Sequence, residues 1–138
     1  MASRLNKSSG YPAARKSFVG HLLPRSPGQA PRSSRAWIQG VVVWFSDTAI
    51  AVDDGTGVGI VTLTDKRWLP PDPQFTPALG LYVGAVGALK AAPADGGRYV
   101  HMAGWRVLDL HDVALADELW VAEVIDIHLS AQSANGAT

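Results

Sequence analysis

Apolar residues recur along this chain in short blocks that alternate between two periods. Ala36 to Phe45 (AWIQGVVVWF) is β-branched and aromatic and apolar on both pleat faces, which predicts a strand; Gly40 inside it points to a bulge or a sharp bend. Thr48 to Asp53 is a second strand, and Val58 to Thr64 a third. Asp53-Asp54-Gly55-Thr56-Gly57 joins them as a turn, because Asp-Gly readily supplies positive φ in hairpins. Asp65 to Gly80 carries Pro70, Pro71, Pro73 and Pro77 and reads as a loop. Leu81 to Lys90 is strand four, with Gly84 and Gly87 admitting bends or close backbone contact. Arg98 to Leu110 is strand five.

The period then changes. Asp112 to Ala131 (DVALADELWVAEVIDIHLSA) is predicted to be a helix, with Asp112 as N-cap, Asp117 and Glu118 early and His128 late, as the helix dipole favours. At 100° per residue, Val113, Ala116, Leu119, Trp120, Val124 and Ile127 gather on one side. Val121, Ile125 and Leu129, flanked by Leu115 and Ala122, form a second apolar stripe on a largely different side. A surface helix of one small domain needs a single stripe. A second stripe is either buried in the same domain or offered to another subunit. Left in water, each such side chain forgoes roughly 1.5–3 kcal/mol of available burial.

Five strands, a bent first strand and a long connection between the third and fourth suggest a small closed barrel. The expected fold is mainly β: a five-stranded oligonucleotide/oligosaccharide-binding (OB) barrel with a C-terminal α-helix. Many OB domains carry a helix between strands three and four; the prolines here leave room only for a short one.

Charge separates the chain into parts. Residues 1–35 hold seven Lys or Arg and no acid, while residues 36–138 hold five basic and twelve acidic residues, a formal charge of −7. The first 35 residues are rich in Ser, Pro, Gly and Arg and poor in periodicity, so they are expected to form a disordered basic tail. Such a tail is a solvated arm, a weak electrostatic handle for nucleic acid, or an organellar transit segment. Within it, Phe18-Val19-Gly20-His21-Leu22-Leu23 is a run short enough to leave its docking undecided. The folded unit is expected over 36–131, with a flexible end over 132–138. The absence of cysteine excludes disulfides, thiolate metal sites and a cysteine nucleophile. No stretch approaches the ~18–20 apolar residues of a membrane span.

Catalytic chemistry finds little footing. His21, His101, His111 and His128 are scattered, with no HExxH spacing. Asp53-Asp54 lacks the spaced ligands and later Glu of a calcium loop. Gly55-Thr56-Gly57-Val58-Gly59 lies between strands, not before a helix whose amides cradle phosphate. No enzyme activity, cofactor or metal is therefore expected. Single-stranded nucleic acid is the alternative ligand. Aromatics that stack bases are present at Trp37, Trp44, Phe45, Trp68, Tyr82, Tyr99 and Trp105, but the acidic body lacks a basic groove. Lys66, Arg67 and Trp68 are the local exception and the candidate nucleic-acid residues.

An ordered set of segments carries a family resemblance: Trp37-Ile38-Gln39-Gly40-Val41-Val42-Val43, the Asp54-Gly55-Thr56-Gly57 turn, Gly80-Leu81-Tyr82-Val83 with Gly87, and Arg106 through His128. In the last, Asp109-Leu110, Asp112, Leu119-Trp120, Glu123-Val124 and Asp126-Ile127-His128 follow a family pattern without gaps, and Leu23-Pro24-Arg25-Ser26-Pro27 resembles a short tail motif. The chain resembles the RecQ-mediated genome instability protein 2 family. Its members are small OB-fold subunits that pair, largely through C-terminal helices, with the C-terminal OB domain of a larger partner. The resemblance implies a non-catalytic scaffold that works with topoisomerase III and a Bloom-type RecQ helicase in dissolving double Holliday junctions, in the nucleus. The interface it implies comprises Leu115, Leu119, Trp120, Val121, Val124, Ile125, His128 and Leu129; Trp120 is a candidate for either the interface or its own core. Arg106 matches a basic position thought to contact repair helicases. Departures are the proline-rich loop, the shorter tail, and Val121 and Ile125, where relatives can carry acids.

Overall fold

The computed structural model describes residues 14–23, 35–63, 76–91 and 98–136. In chain order the elements are β1 (Arg15–Lys16), α1 (Val19–Leu22), β2 (Arg35–Phe45), β3 (Ala49–Asp53), β4 (Val58–Thr62), β5 (Tyr82–Leu89), β6 (Tyr99–Asp109) and α2 (Ala116–Gly136). The five expected strands are β2 to β6, with ends moved by a residue or two. Antiparallel pairs β2–β3, β3–β4, β5–β6 and β2–β5, with β4 parallel to β6, close them into a barrel in the order of an OB fold.

Alternation sorts the side chains. Ile38, Val42, Ile50, Val52, Val61, Val83, Val100, Met102 and Val107 point inward and form the core with Val19 and Ala85. The first strand bends, but not at Gly40. Gly40 pairs in register with Val83, whereas Val42 pairs with Val52 and Trp44 with Ala51, which makes Val43 the extra residue of a bulge. Gly40 serves close approach instead: a Cβ there would lie 2.4 Å from the Asp53 carbonyl oxygen. The predicted turn is present, with Gly55 at φ 88° and its N–H donating to Asp53 Oδ1 at 2.8 Å.

Within the stretch expected to be a basic tail, residues 14–23 pack onto the barrel. β1 adds in parallel to β2 at Ala36 and Trp37, and Ser17 donates its N–H to the Trp37 carbonyl at 3.0 Å. α1 follows, and Val19 is fully buried in the barrel core. The Val19 N–H donates to Asp54 Oδ2 and the Gly20 N–H to Thr56 Oγ1, both at 2.8 Å, while Asp54 Oδ1 accepts from the Thr56 N–H and hydroxyl. The Asp54 carboxylate thus ties the β3–β4 turn to this strap. The proline-rich connection, where a helix is common in OB domains, lies largely outside the described residues.

The helix begins at Ala116, four residues after the expected N-cap Asp112. Asp109 Oδ1 accepts the His111 N–H at 2.9 Å in a local turn at the end of β6, and the chain passes through further turns before Leu115 at φ 60°. That left-handed residue interrupts helical dihedrals, and its carbonyl accepts the first helical bond from Leu119 at 2.9 Å. Among the described residues no helix is long and apolar enough to cross a membrane.

Candidate interaction surface

α2 lies against the outer side of β2 and against β1. Trp120 and Val124 are 2% and 1% exposed, and Ala116 and Ile127 are half-buried on the same side. The Trp120 ring packs on Trp37, centroids 5.9 Å apart and tilted at 39°. Lys16 locks the strap across this contact: its Nζ is 2.5 Å from Glu123 Oε2, 4.7 Å from the Trp37 ring centroid and 5.9 Å from that of Trp120. His21 of α1 stacks on His128 of α2, with centroids 4.3 Å apart. The barrel, strap and helix are joined by contacts from elements remote in sequence.

The other side of α2 is uncovered. Val121 and Ile125 are each 46% exposed, and Leu129 59%. Spaced at i, i+4 and i+8, they form one continuous stripe. Leu119 and Leu115 are exposed beside it. Of the eight residues expected at the interface, Leu115, Leu119, Val121, Ile125, His128 and Leu129 reach the surface; Trp120 and Val124 are turned into their own barrel. Val113 and Leu119, grouped by periodicity with Trp120 and Val124, are exposed, because Val113 precedes the helix and Leu119 sits a full 100° step from Trp120.

Sequence reasoning missed two residues. Val41 and Val43 on β2 stand outside the barrel, 39% and 47% exposed, and share a cleft of about 410 Å³ with Val121. The apolar surface therefore runs from the helix onto the strand. The signal was available: a strand apolar on both pleat faces needs cover on both. At the cleft Gln39 Nε2 donates to the Tyr82 hydroxyl at 3.2 Å. Burial, opposed in part by that bond and reinforced by the charges of Asp117 and Asp54, pushes the Tyr82 pKa above its ordinary value.

Arg106 is exposed on β6 opposite Val86 and makes no ion pair with another described residue. Lys66, Arg67 and Trp68 lie outside the described residues. In OB folds the second and third barrel strands carry the oligonucleotide face. Here those are β3 and β4, whose residues facing away from the core are Ala49, Ala51, Asp53, Val58, Ile60 and Thr62: no aromatic and no base. Beside them on β6, burial and the Lys90 charge lower the His101 pKa, and Lys90 donates to Thr62 Oγ1 at 3.3 Å. Among the described residues no three His, Asp or Glu side chains converge as a metal site.

A closed OB barrel whose C-terminal helix is apolar on two sides defines an OB-fold module with a large uncovered face. Residues 1–128 match the family profile of RecQ-mediated genome instability protein 2, and the chain belongs to that family. No curated protein matches it in sequence. Solved structures share the fold at low identity. The telomere capping protein Ten1 from Saccharomyces pombe aligns with TM-score 0.56 and 15% identity over 84% of this chain and 98% of that one. A chain of the S. pombe Stn1–Ten1 complex gives TM-score 0.55 and 14% identity over 84% and 92%. A chain of a replication protein A heterotrimer bound to single-stranded DNA gives TM-score 0.59 and 17% identity over 86% and 98%.

Proposed function

We propose that this protein is a non-catalytic scaffold subunit that heterodimerises with a larger OB-fold partner in a RecQ helicase–topoisomerase III assembly. Through that assembly it supports double Holliday junction dissolution and genome stability in the nucleus. One observation carries the reading: the Val121–Ile125–Leu129 stripe stands in solvent on a helix whose opposite side is already buried by Trp120 and Val124. A contiguous apolar patch of this kind marks an interaction site. The partner proposed is the C-terminal OB domain of the larger RecQ-mediated instability subunit, a choice in keeping with the family to which the chain belongs. The similar folds of Stn1–Ten1 and replication protein A are known from multi-subunit assemblies, which is consistent with pairing between OB subunits.

Direct binding of single-stranded DNA is the weaker reading, since β3 and β4 present neither stacking rings nor cations outward. Size-exclusion chromatography with light scattering on the full chain, alone and mixed with the partner's OB domain, tests the proposal. A one-to-one complex is expected. A well-folded monomer indifferent to that domain would refute it.

A further inference from the structure

The cleft between α2 and the outer side of β2 has a composition that pairing of two apolar helices does not use. Its floor is made by Val41, Val43 and Val121, all between 39% and 47% exposed. Its rim carries Asp53 and Asp117. Asp117 has no hydrogen bond or ion pair with another described residue, and only Oδ1 of Asp53 has a partner, the Gly55 N–H. Trp120, 2% exposed, forms part of the lining.

We propose that this cleft docks an extended, lysine- or arginine-bearing segment of a partner protein. Each unmet requirement corresponds to one part of such a segment. The aliphatic stems of Lys and Arg, and interleaved apolar side chains, cover the valines while the cations reach the rim carboxylates. An extended chain does both at once, because successive side chains point to opposite sides. The full chain is formally neutral, so the selection is local: Asp53 and Asp117 favour a cation at the cleft over a phosphate. The chain's own Lys16 is already committed to Glu123. The cleft shares Val121 with the proposed pairing stripe but not Ile125 or Leu129, so substitutions at Asp53 and Asp117 test it apart from heterodimer formation.

The test titrates the full chain into a fluorescent peptide that alternates valine with lysine and arginine, followed by anisotropy at low salt. A peptide alternating valine with aspartate and glutamate serves as the control. The basic peptide is expected to bind, to weaken with salt, and to lose about tenfold in affinity for the Asp53→Asn/Asp117→Asn double variant. Asn keeps the Oδ1 acceptor for Gly55, and an unchanged urea midpoint verifies the fold. In 15N spectra the backbone amide resonances of Val41, Val43 and Val121 should move on binding. Ile125→Asp should leave peptide affinity unchanged, and the double Asn variant should leave partner pairing unchanged, so the two readings fail separately. Absence of binding, equal binding of the acidic peptide, or equal affinity for the double variant overturns the inference. So does a homodimer abolished by Val43→Asp that excludes the peptide, which assigns the cleft to a second copy.

Discussion

Replacing Ile125 by aspartate separates the helix face that holds the barrel from the face proposed to hold a partner. Ile125 is 46% exposed, so about half of its side chain remains to be buried. Full burial of such a residue is worth roughly 1.5–3 kcal/mol, which leaves roughly 0.7–1.5 kcal/mol to be gained at an interface. Val121 and Leu129, exposed to similar degrees, raise the stripe's total to roughly 2–4.5 kcal/mol. Ile125→Asp forfeits one share and forces a carboxylate against apolar neighbours. Burying a polar group without a hydrogen bond costs about 1–3 kcal/mol in proteins. The expected loss is therefore roughly 2–4 kcal/mol, or about 30-fold to several hundred-fold in Kd.

Isothermal titration against the partner's OB domain reads the affinity, and urea unfolding of the isolated chain reads the fold. The isolated chain should change by less than about 1 kcal/mol, because the altered side chain is half in water already. Affinity within twofold of wild type, with the fold intact, would place the pairing surface elsewhere. A chain that unfolds would show that Ile125 packs inside its own molecule.

Three further outcomes follow from the fold. Asp54→Ala removes the acceptor of three hydrogen bonds, one from the strap and two within the β3–β4 turn; urea unfolding should show a loss of roughly 2–4 kcal/mol, and a loss below about 0.5 would deny the carboxylate a structural role. Gly40→Ala places a methyl 2.4 Å from the Asp53 carbonyl oxygen, a backbone atom of a paired strand that cannot swing aside; a fall in Tm of many degrees is expected, and an unchanged Tm would show that the two strands separate easily. His101 has a pKa lowered from its ordinary value near 6.5 by burial and then by Lys90, so the unfolded state takes up a proton before the folded state does. Stability should hold above about pH 6.5 and decline as pH falls below it, until folded His101 itself protonates. His101→Gln should flatten that decline; an identical pH profile would remove His101 from the acid response.

The parts of this fold that were legible in the sequence are those whose signal is local. Runs of Val, Ile and aromatic residues bounded by Gly, Asp and Pro mark five strands without reference to anything distant. The doubly apolar helix was equally visible, but which stripe faces the barrel was not, because both are built from the same kinds of residue. That choice is made by Trp37 packing on Trp120, and by Lys16 reaching Glu123 across 107 positions. The strap was hidden for the same reason. Phe18 to Leu23 is too short to declare itself within a basic, proline-rich stretch, and its anchor is a carboxylate 35 residues away. Helix onset shifted because Leu115, at φ 60°, breaks helical dihedrals between Asp112 and Ala116. The surface on β2 follows from the same logic. Val41 and Val43 read as core residues of an apolar strand, and only closure of the barrel, with Val42 turned inward and Val43 bulged, leaves them standing outside beside Val121. Once the barrel has closed, the exposed valines of the strand and the exposed stripe of the helix are one surface, and a partner covering either must reckon with the carboxylates between them.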